Sequence, residues 1–273
     1  MARMEFEQIA RDGMVLLGCG KMGSAMLAGW LSRGVPAQSV HVIDPAPSNW
    51  LQTTGVKLNS KLPDAPAVAV VAVKPQMMGD ALPRLQAFGT GSTLFISIAA
   101  GTSLARFSEV FGTSTPIIRA MPNTPSAVGC GITALIGNER VSQADMALAE
   151  ALLSAVGTTV RLEDESQMDA VTALSGSGPA YVFHMIEAMA QAGQAAGLAP
   201  DLAMQLARAT VIGAGQLAAG ADETAEQLRI NVTSPKGTTA AALEVLMDAD
   251  TGLQPLMQRA IAAAAARSRE LAQ

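Results

Sequence analysis

The chain has 273 residues, of which 49% are hydrophobic and 15% charged, with a net charge of −5 and only two cysteines and two histidines. That is apolar enough to bury a sizeable core and too weakly charged for a disordered chain, while the 18 basic residues are scattered singly, which argues against a nucleic-acid patch. Cys19 and Cys130 form no CxxC pair, and without clustered Cys and His a metal site is not expected.

Residues 1–13 mix acids and bases and lack the apolar segment of a secretory signal, so they are expected to be a short mobile leader. Apolar runs such as Ala65–Val73 are far shorter than the roughly 20 residues that span a bilayer, and a cytoplasmic location is expected. From Met14 the pattern alternates between strand and helix. Strands are predicted at Met14–Leu17, Val40–Ile43, Val68–Val73, Leu94–Ile98, Ile117–Ala120, Ile132–Ile136 and Thr158–Leu162, with helices at Ser24–Arg33 and Gln143–Val156. Repeated βα units imply a doubly wound α/β sheet with right-handed crossovers. After about residue 165 the strand signal stops. Helices are predicted at Pro179–Ala196, Asp201–Ala219, Glu223–Ile230, Gly237–Met247 and Leu253–Leu271. Several are apolar on more than one face, so this all-α region is expected to pack against a second copy of itself. The expected division is 14–164 for the sheet domain and 165–273 for a helical substrate and dimerisation domain.

The first strand runs into Gly18-Cys19-Gly20-Lys21-Met22-Gly23, a GxGxxG loop with a strand before it, a helix after it and an acid, Asp44, at the end of the next strand. That is the context of a Rossmann-like dinucleotide site: Gly18 for the tight turn, Gly20 for close approach of a pyrophosphate, Gly23 for helix–strand packing, and a helix N-terminus for the diphosphate. Cys19 is read as a steric element of the loop, and Lys21 as either a solvated cation or a phosphate neighbour. Asp44, 21 residues after Gly23, is placed to accept from ribose hydroxyls and to repel a 2′-phosphate, and the first cation beyond it is Lys57. The segments Ala72-Val73-Lys74-Pro75 and Ala99-Ala100-Gly101 also follow strand ends and are expected to line the same crevice, with Met121–Pro125 as a rigid wall.

Six segments in this order, GCGKMG, AVKPQ, SIAAG, MPNTP, ALSGSGPAY and NVTSPKGTT, resemble pyrroline-5-carboxylate reductase, the last enzyme of proline synthesis, from about Met14 to Leu271. The resemblance implies NADPH or NADH as cofactor, a homodimer whose helical domains interlock, often assembled into a decamer, and the cyclic imine 1-pyrroline-5-carboxylate as substrate. It further implies cofactor contacts from the glycine loop, Asn59, Ala72–Pro75, Ala99–Gly101, Glu165 and Asn231. The substrate carboxylate is implied at Gly237, Thr238 and Thr239. An acid near the substrate nitrogen, from the neighbouring subunit, matches Glu223, with Asp222 as the alternative, so Thr239 and Glu223 are the candidates for catalytic roles. The chain departs from the family pattern at Lys236, where a second glycine is common. It departs again at Asp44, in place of Ser or Arg, and at Thr224-Ala225, in place of His-Pro.

The residues agree with such a reaction. Ser234-Pro235-Lys236-Gly237-Thr238-Thr239 before an Ala/Leu-rich helix describes either an anion-binding helix start or an ordinary helix cap by Ser234 or Thr238. No Lys lies between Lys74 and Lys236, His41 is expected near the adenosine side, and His184 is expected to be a packed helix residue. A carbonyl or alcohol dehydrogenase would need an acid–base group at oxygen, whereas a protonated cyclic imine is already electrophilic. A β-hydroxyacid dehydrogenase of the hydroxyisobutyrate type would carry a Lys one turn beyond Ser175–Tyr181, where Val182-Phe183-His184 stand instead. A non-catalytic dinucleotide-binding module is the remaining alternative.

Overall fold

The structure, a computed structural model, describes residues 6–271. Eight strands form one sheet in the order β3-β2-β1-β4-β5-β6-β7-β8. They are β1 Met14–Leu17, β2 Val40–Ile43, β3 Lys57–Leu58, β4 Val68–Val71, β5 Leu94–Ser97, β6 Ile117–Met121, β7 Gly131–Gly137 and β8 Gly157–Arg161. Neighbours are parallel except β6 and β7, which pair antiparallel. The exception has a local cause. Only the short 3-10 turn Thr124–Val128 joins β6 to β7, too little chain for the crossover that a parallel neighbour requires.

The four central strands are buried along their whole length, as runs of Val, Leu and Ile must be when helices cover both faces. Side chains alternate between two cores: Leu16, Val42, Val70 and Ile96 lie on one side, and Leu17, Ile43, Val71 and Phe95 on the other. β1 is flanked by β2 on one side and β4 on the other, so the chain switches direction there and leaves a crevice at the strands' carboxyl ends.

Among the described residues, the helices in this part are α1 Glu7–Asp12, α2 Lys21–Ser32, α3 Asn49–Thr53, α4 Met78–Ala81, α5 Leu104–Phe111, α6 Gln143–Leu153 and α7 Met168–Val171. α2 starts earlier than the predicted Ser24 because Gly20 serves as its N-cap. α1 corrects the expected mobile leader. Residues 6–13 are ordered on the sheet, with Phe6 and Ile9 buried in its core and the Gly13 amide closing the helix on Ile9; residues 1–5 lie outside the described residues.

The chain divides into two compact units, one running to Gly176 and resuming at Ala265, the other Ser177–Ala264. The first unit extends past residue 164 because a 3-10 turn at Glu165–Gln167, α7 and a π-helical stretch at Thr172–Gly176 stay packed on it. Asn123 donates to Ser175 Oγ at 3.4 Å, and Ser268 donates to Asp169 at 2.6 Å. The second unit contains α8 Gly178–Ala195, α9 Pro200–Gly220, α10 Ala225–Asn231, α11 Thr238–Leu246 and most of α12 Leu253–Leu271. α8 and α9 form a hairpin with small residues where they meet: a Cβ on Gly193 would lie 3.3 Å from Ala203 Cβ. Large apolar side chains of this unit face outward, Phe183 at 60% exposure and Val245 at 72% among them.

Candidate cofactor and substrate sites

The glycine loop joins β1 to α2 at the carboxyl end of the sheet, and its three glycines answer to three different constraints. Gly18 has φ +87°, and a Cβ there would lie 2.8 Å from Val73 Cγ1 and 2.9 Å from Ala72 O, so the Ala72–Val73 segment lies directly against the loop. A Cβ on Gly23 would lie 2.7 Å from Gly18 O, closing helix onto turn. Around Gly20 there is nothing within 4 Å, so the backbone at that point is open to a ligand. α2 has no side-chain cap on its N-terminal amides. An uncapped helix start on an open glycine loop presents N–H groups and the positive end of the helix dipole, which is what a diphosphate requires.

Asp44, 9% exposed, follows β2 and fixes this loop. One carboxylate oxygen accepts the Cys19 N–H at 2.7 Å and the other the Ala46 N–H at 2.8 Å. The sequence places Asp44 against a ribose; the structure gives it a second duty, holding the loop to the next strand. Asn59 clamps it in turn: the Asn59 amide accepts from Asp44 N at 3.0 Å and donates to Asp44 O at 2.7 Å. Asn59 adopts φ +47°, a left-handed conformation that Asn tolerates better than most residues. Cys19 is buried and shares a 3.6 Å contact with Ser24 Oγ; burial pushes its thiol pKa up, in keeping with a steric role.

Lys21 and Lys74 are both exposed, Lys74 as the residue before the 3-10 turn Pro75–Met77. Lys57 points elsewhere, with Nζ 3.5 Å from His41 Nε2. Both line a cavity of about 250 Å³ with Gly13, Pro36 and Ser39, residues that precede β1 and β2. His41 is therefore at the amino end of the strands and not beside the adenosine side, a correction to the sequence reading. Its second residue position in β2 accounts for this, since only Asp44 beyond the strand reaches the crevice. Burial, then Lys57, lowers the His41 pKa.

The Ala99–Gly101 turn follows β5, with Gly101 at φ +77°, and leads through Thr102 into α5. Glu165 reaches the start of that helix, accepting from Leu104 N at 2.8 Å, and pairs with Arg119 of β6. The structure thus brings together Gly18–Gly23, Asp44, Asn59, Ala72–Pro75, Ala99–Gly101 and Glu165 around the carboxyl ends of β1 to β5. Arg119 is absent from the sequence reading, although a lone arginine inside the apolar run Ile117–Met121 is a visible signal.

In the helical unit, Gly237 is the N-cap of α11 with no side-chain cap, so neither Ser234 nor Thr238 caps it. Gly237 N–H bonds back to Ser234 O at 3.0 Å, and the preceding Lys236 is forced to φ +59°. The first-turn amides and the hydroxyls of Thr238 and Thr239 are then available to an anion. Glu223 and Asp222 are exposed just before Thr224, which caps α10 through Gln227 N. Asn231 ends α10 and accepts from Gln227 at 2.8 Å. Within one chain the His184 side chain is 80% exposed and pairs with Glu187 one turn on, next to the outward-facing Phe183.

Comparison with known proteins matches residues 165–271 to the family described as pyrroline-5-carboxylate reductase dimerisation, and residues 14–101 to NADP oxidoreductase, coenzyme F420-dependent. The pyrroline-5-carboxylate reductase of Pseudomonas aeruginosa is 38% identical over 266 residues, covering 95% of this chain and 97% of that protein. Among solved structures, the pyrroline-5-carboxylate reductase of Coxiella burnetii superposes with a TM-score of 0.89 at 32% identity, covering 96% of this chain and 99% of its own. The Plasmodium falciparum enzyme, solved with NADP bound, gives 0.82 at 29% identity, with 97% and 99% covered.

Proposed function

The chain belongs to the pyrroline-5-carboxylate reductase family, and from that premise we propose how its residues carry out the NAD(P)H-dependent reduction of 1-pyrroline-5-carboxylate to L-proline. The observation that carries the reading is the uncapped α2 N-terminus on the open Gly20 loop, with Ala72–Val73 packed behind it. These residues fit a dinucleotide: N–H donors for its diphosphate, Asp44 for a ribose, and the small residues of Ala99–Gly101 for a flat ring lying on the backbone. When bound, the reduced nicotinamide supplies the hydride that the imine carbon of the substrate, C5 of the proline formed, accepts.

The chain's own contribution is placement and charge. The α11 amides and the hydroxyls of Thr238 and Thr239 hold the substrate carboxylate, and this grip fixes the ring's orientation. Glu223 contributed by the neighbouring subunit, with Asp222 as the alternative, places a carboxylate near the protonated ring nitrogen, stabilising the iminium form that makes the imine carbon electrophilic. Reduction leaves a secondary amine, which water protonates, so no buried acid–base residue is required. This agrees with the lack of any lysine on α8. The lysine expected of a β-hydroxyacid dehydrogenase is missing there, and no observation favours that alternative.

The chain acts on a small molecule and is a homo-oligomer. We propose the dimer as its minimum folded unit, supported by the outward-facing Phe183, Leu217 and Val245 of the helical unit, and further assembly into a decamer. For function we divide the chain at residue 165, where the dimerisation family match begins. No helix among the described residues is long and apolar enough to cross a membrane. The cytoplasm is the proposed compartment, in keeping with the free thiols of Cys19 and Cys130. The test of the reaction is isotopic: with NAD(P)H carrying deuterium at both positions of nicotinamide C4, the proline formed should carry one deuterium, at C5. Unlabelled proline, or label elsewhere in the ring, would refute hydride delivery to that carbon.

A further inference from the structure

Arg119 lies in the middle of β6, opposite Ser97 of β5 and Ile136 of β7. Its side chain is only 12% exposed and ends in an ion pair with Glu165. A cation that far out of water is costly unless paired, so this contact is unlike the chain's surface pairs, such as Arg106 with Glu109. The Glu165 oxygen that meets Arg119 also accepts the Leu104 N–H. Leu104 is the first residue of α5, and its amide has no partner within the helix. Ser103, the N-cap, is occupied with Arg106 N, which leaves the Leu104 amide to Glu165.

The turn that contains Ala99–Gly101 is therefore held at both ends. Before it, Ser97 sits in the sheet across from Arg119 and its hydroxyl accepts Ala99 N at 3.3 Å. After it, Leu104 is tied to Glu165, which Arg119 holds in place. Without the guanidinium, Glu165 would keep one neutral N–H donor for a half-buried charge and would turn toward water. The start of α5 would then be free to shift, and the turn with it. We infer that Arg119 is a positioning residue for the cofactor site, acting through Glu165 to fix the Ala99–Gly101 turn. This rests on the reductase reading above.

The test uses the full-length oligomer and three variants, Arg119→Gln, Arg119→Lys and Glu165→Gln, together with the double variant Arg119→Gln/Glu165→Gln. Glu165→Gln keeps an oxygen for Leu104 N and so remains informative if the arginine variants fold poorly. Dissociation constants for NADPH and NADH are measured by cofactor fluorescence without substrate, alongside Tm and the KM for the imine at saturating cofactor. A hydrogen bond to a charged group is worth enough to predict a cofactor dissociation constant raised about ten- to a hundredfold in Arg119→Gln. Partial recovery is expected in Arg119→Lys, with little change in imine KM and no further loss in the double variant. Folded variants with unchanged cofactor affinity, whatever their Tm, would overturn the inference, as would additive losses in the double variant. Wild-type protein that bound neither NADPH nor NADH would instead overturn the reductase reading.

Discussion

Replacing Asp44 by Asn separates its two duties. The carboxylate now serves two backbone donors, Cys19 N at 2.7 Å and Ala46 N at 2.8 Å, from a position only 9% exposed. Asn offers one oxygen for two donors, so one N–H loses its partner, at a cost of about 1–3 kcal/mol. At about 2–4 °C per kcal/mol for a chain of this size, Tm should fall by roughly 2–12 °C. The second duty is electrostatic. A unit charge about 5 Å from a doubly charged 2′-phosphate is repelled by roughly 2 kcal/mol at the dielectric of water, and salt reduces this to about 1 kcal/mol or a little more. Removing the charge should therefore raise the ratio of NADPH to NADH efficiency (kcat/KM) by about five- to tenfold, while both absolute values drop as the loop loosens. Thermal melts and paired kinetics with the two cofactors read the two effects independently. A fall in Tm with an unmoved ratio would show that Asp44 only secures the loop and does not face the ribose. An unchanged Tm would refute the hydrogen-bond argument itself.

Other substitutions test the remaining parts. Gly20→Ala places a methyl group in open space, so Tm should hold while cofactor KM rises at least tenfold; Gly23→Ala drives a Cβ to within 2.7 Å of Gly18 O and should lower both stability and cofactor binding. Equal behaviour of the two variants would contradict the roles assigned to them. Lys236→Gly relieves a left-handed backbone at φ +59° and should stabilise by about 0.5–1 kcal/mol in denaturant melts, since the 1–2 kcal/mol of relieved strain is partly offset by added unfolded-state entropy. Thr239→Ala removes one hydroxyl from the proposed carboxylate cradle and should lower kcat/KM for the imine about ten- to a hundredfold with cofactor affinity unchanged. No change would mean that the turn is only a helix start.

Much of the sheet domain is legible in the sequence because its strands are continuous apolar runs between glycine-marked turns, and Leu253–Leu271 is legible to its ends because its Ala tract favours helix. What escaped was short or irregular. β3 has two residues, too few for any period to register, and α1 has six, of which only Ile9 is buried, with Phe6 buried just before it. The glycine loop announced itself by spacing, but the bonds that fix it join residues far apart in the chain, 25 positions in the case of Asp44 and Cys19. The same holds for Glu165, whose partners Leu104 and Arg119 lie 61 and 46 residues away. Histidine placement depends on tertiary surroundings: His41 turns to the amino end of the sheet beside Lys57.

The central claim is tested most directly by following NAD(P)H absorbance with the purified oligomer and fresh pyrroline-5-carboxylate at neutral pH, and quantifying proline in the same reaction. The account predicts no oxidation without the imine and, with it, one proline formed per cofactor oxidised. Absence of turnover with either NADPH or NADH, or oxidation without matching proline, would contradict it.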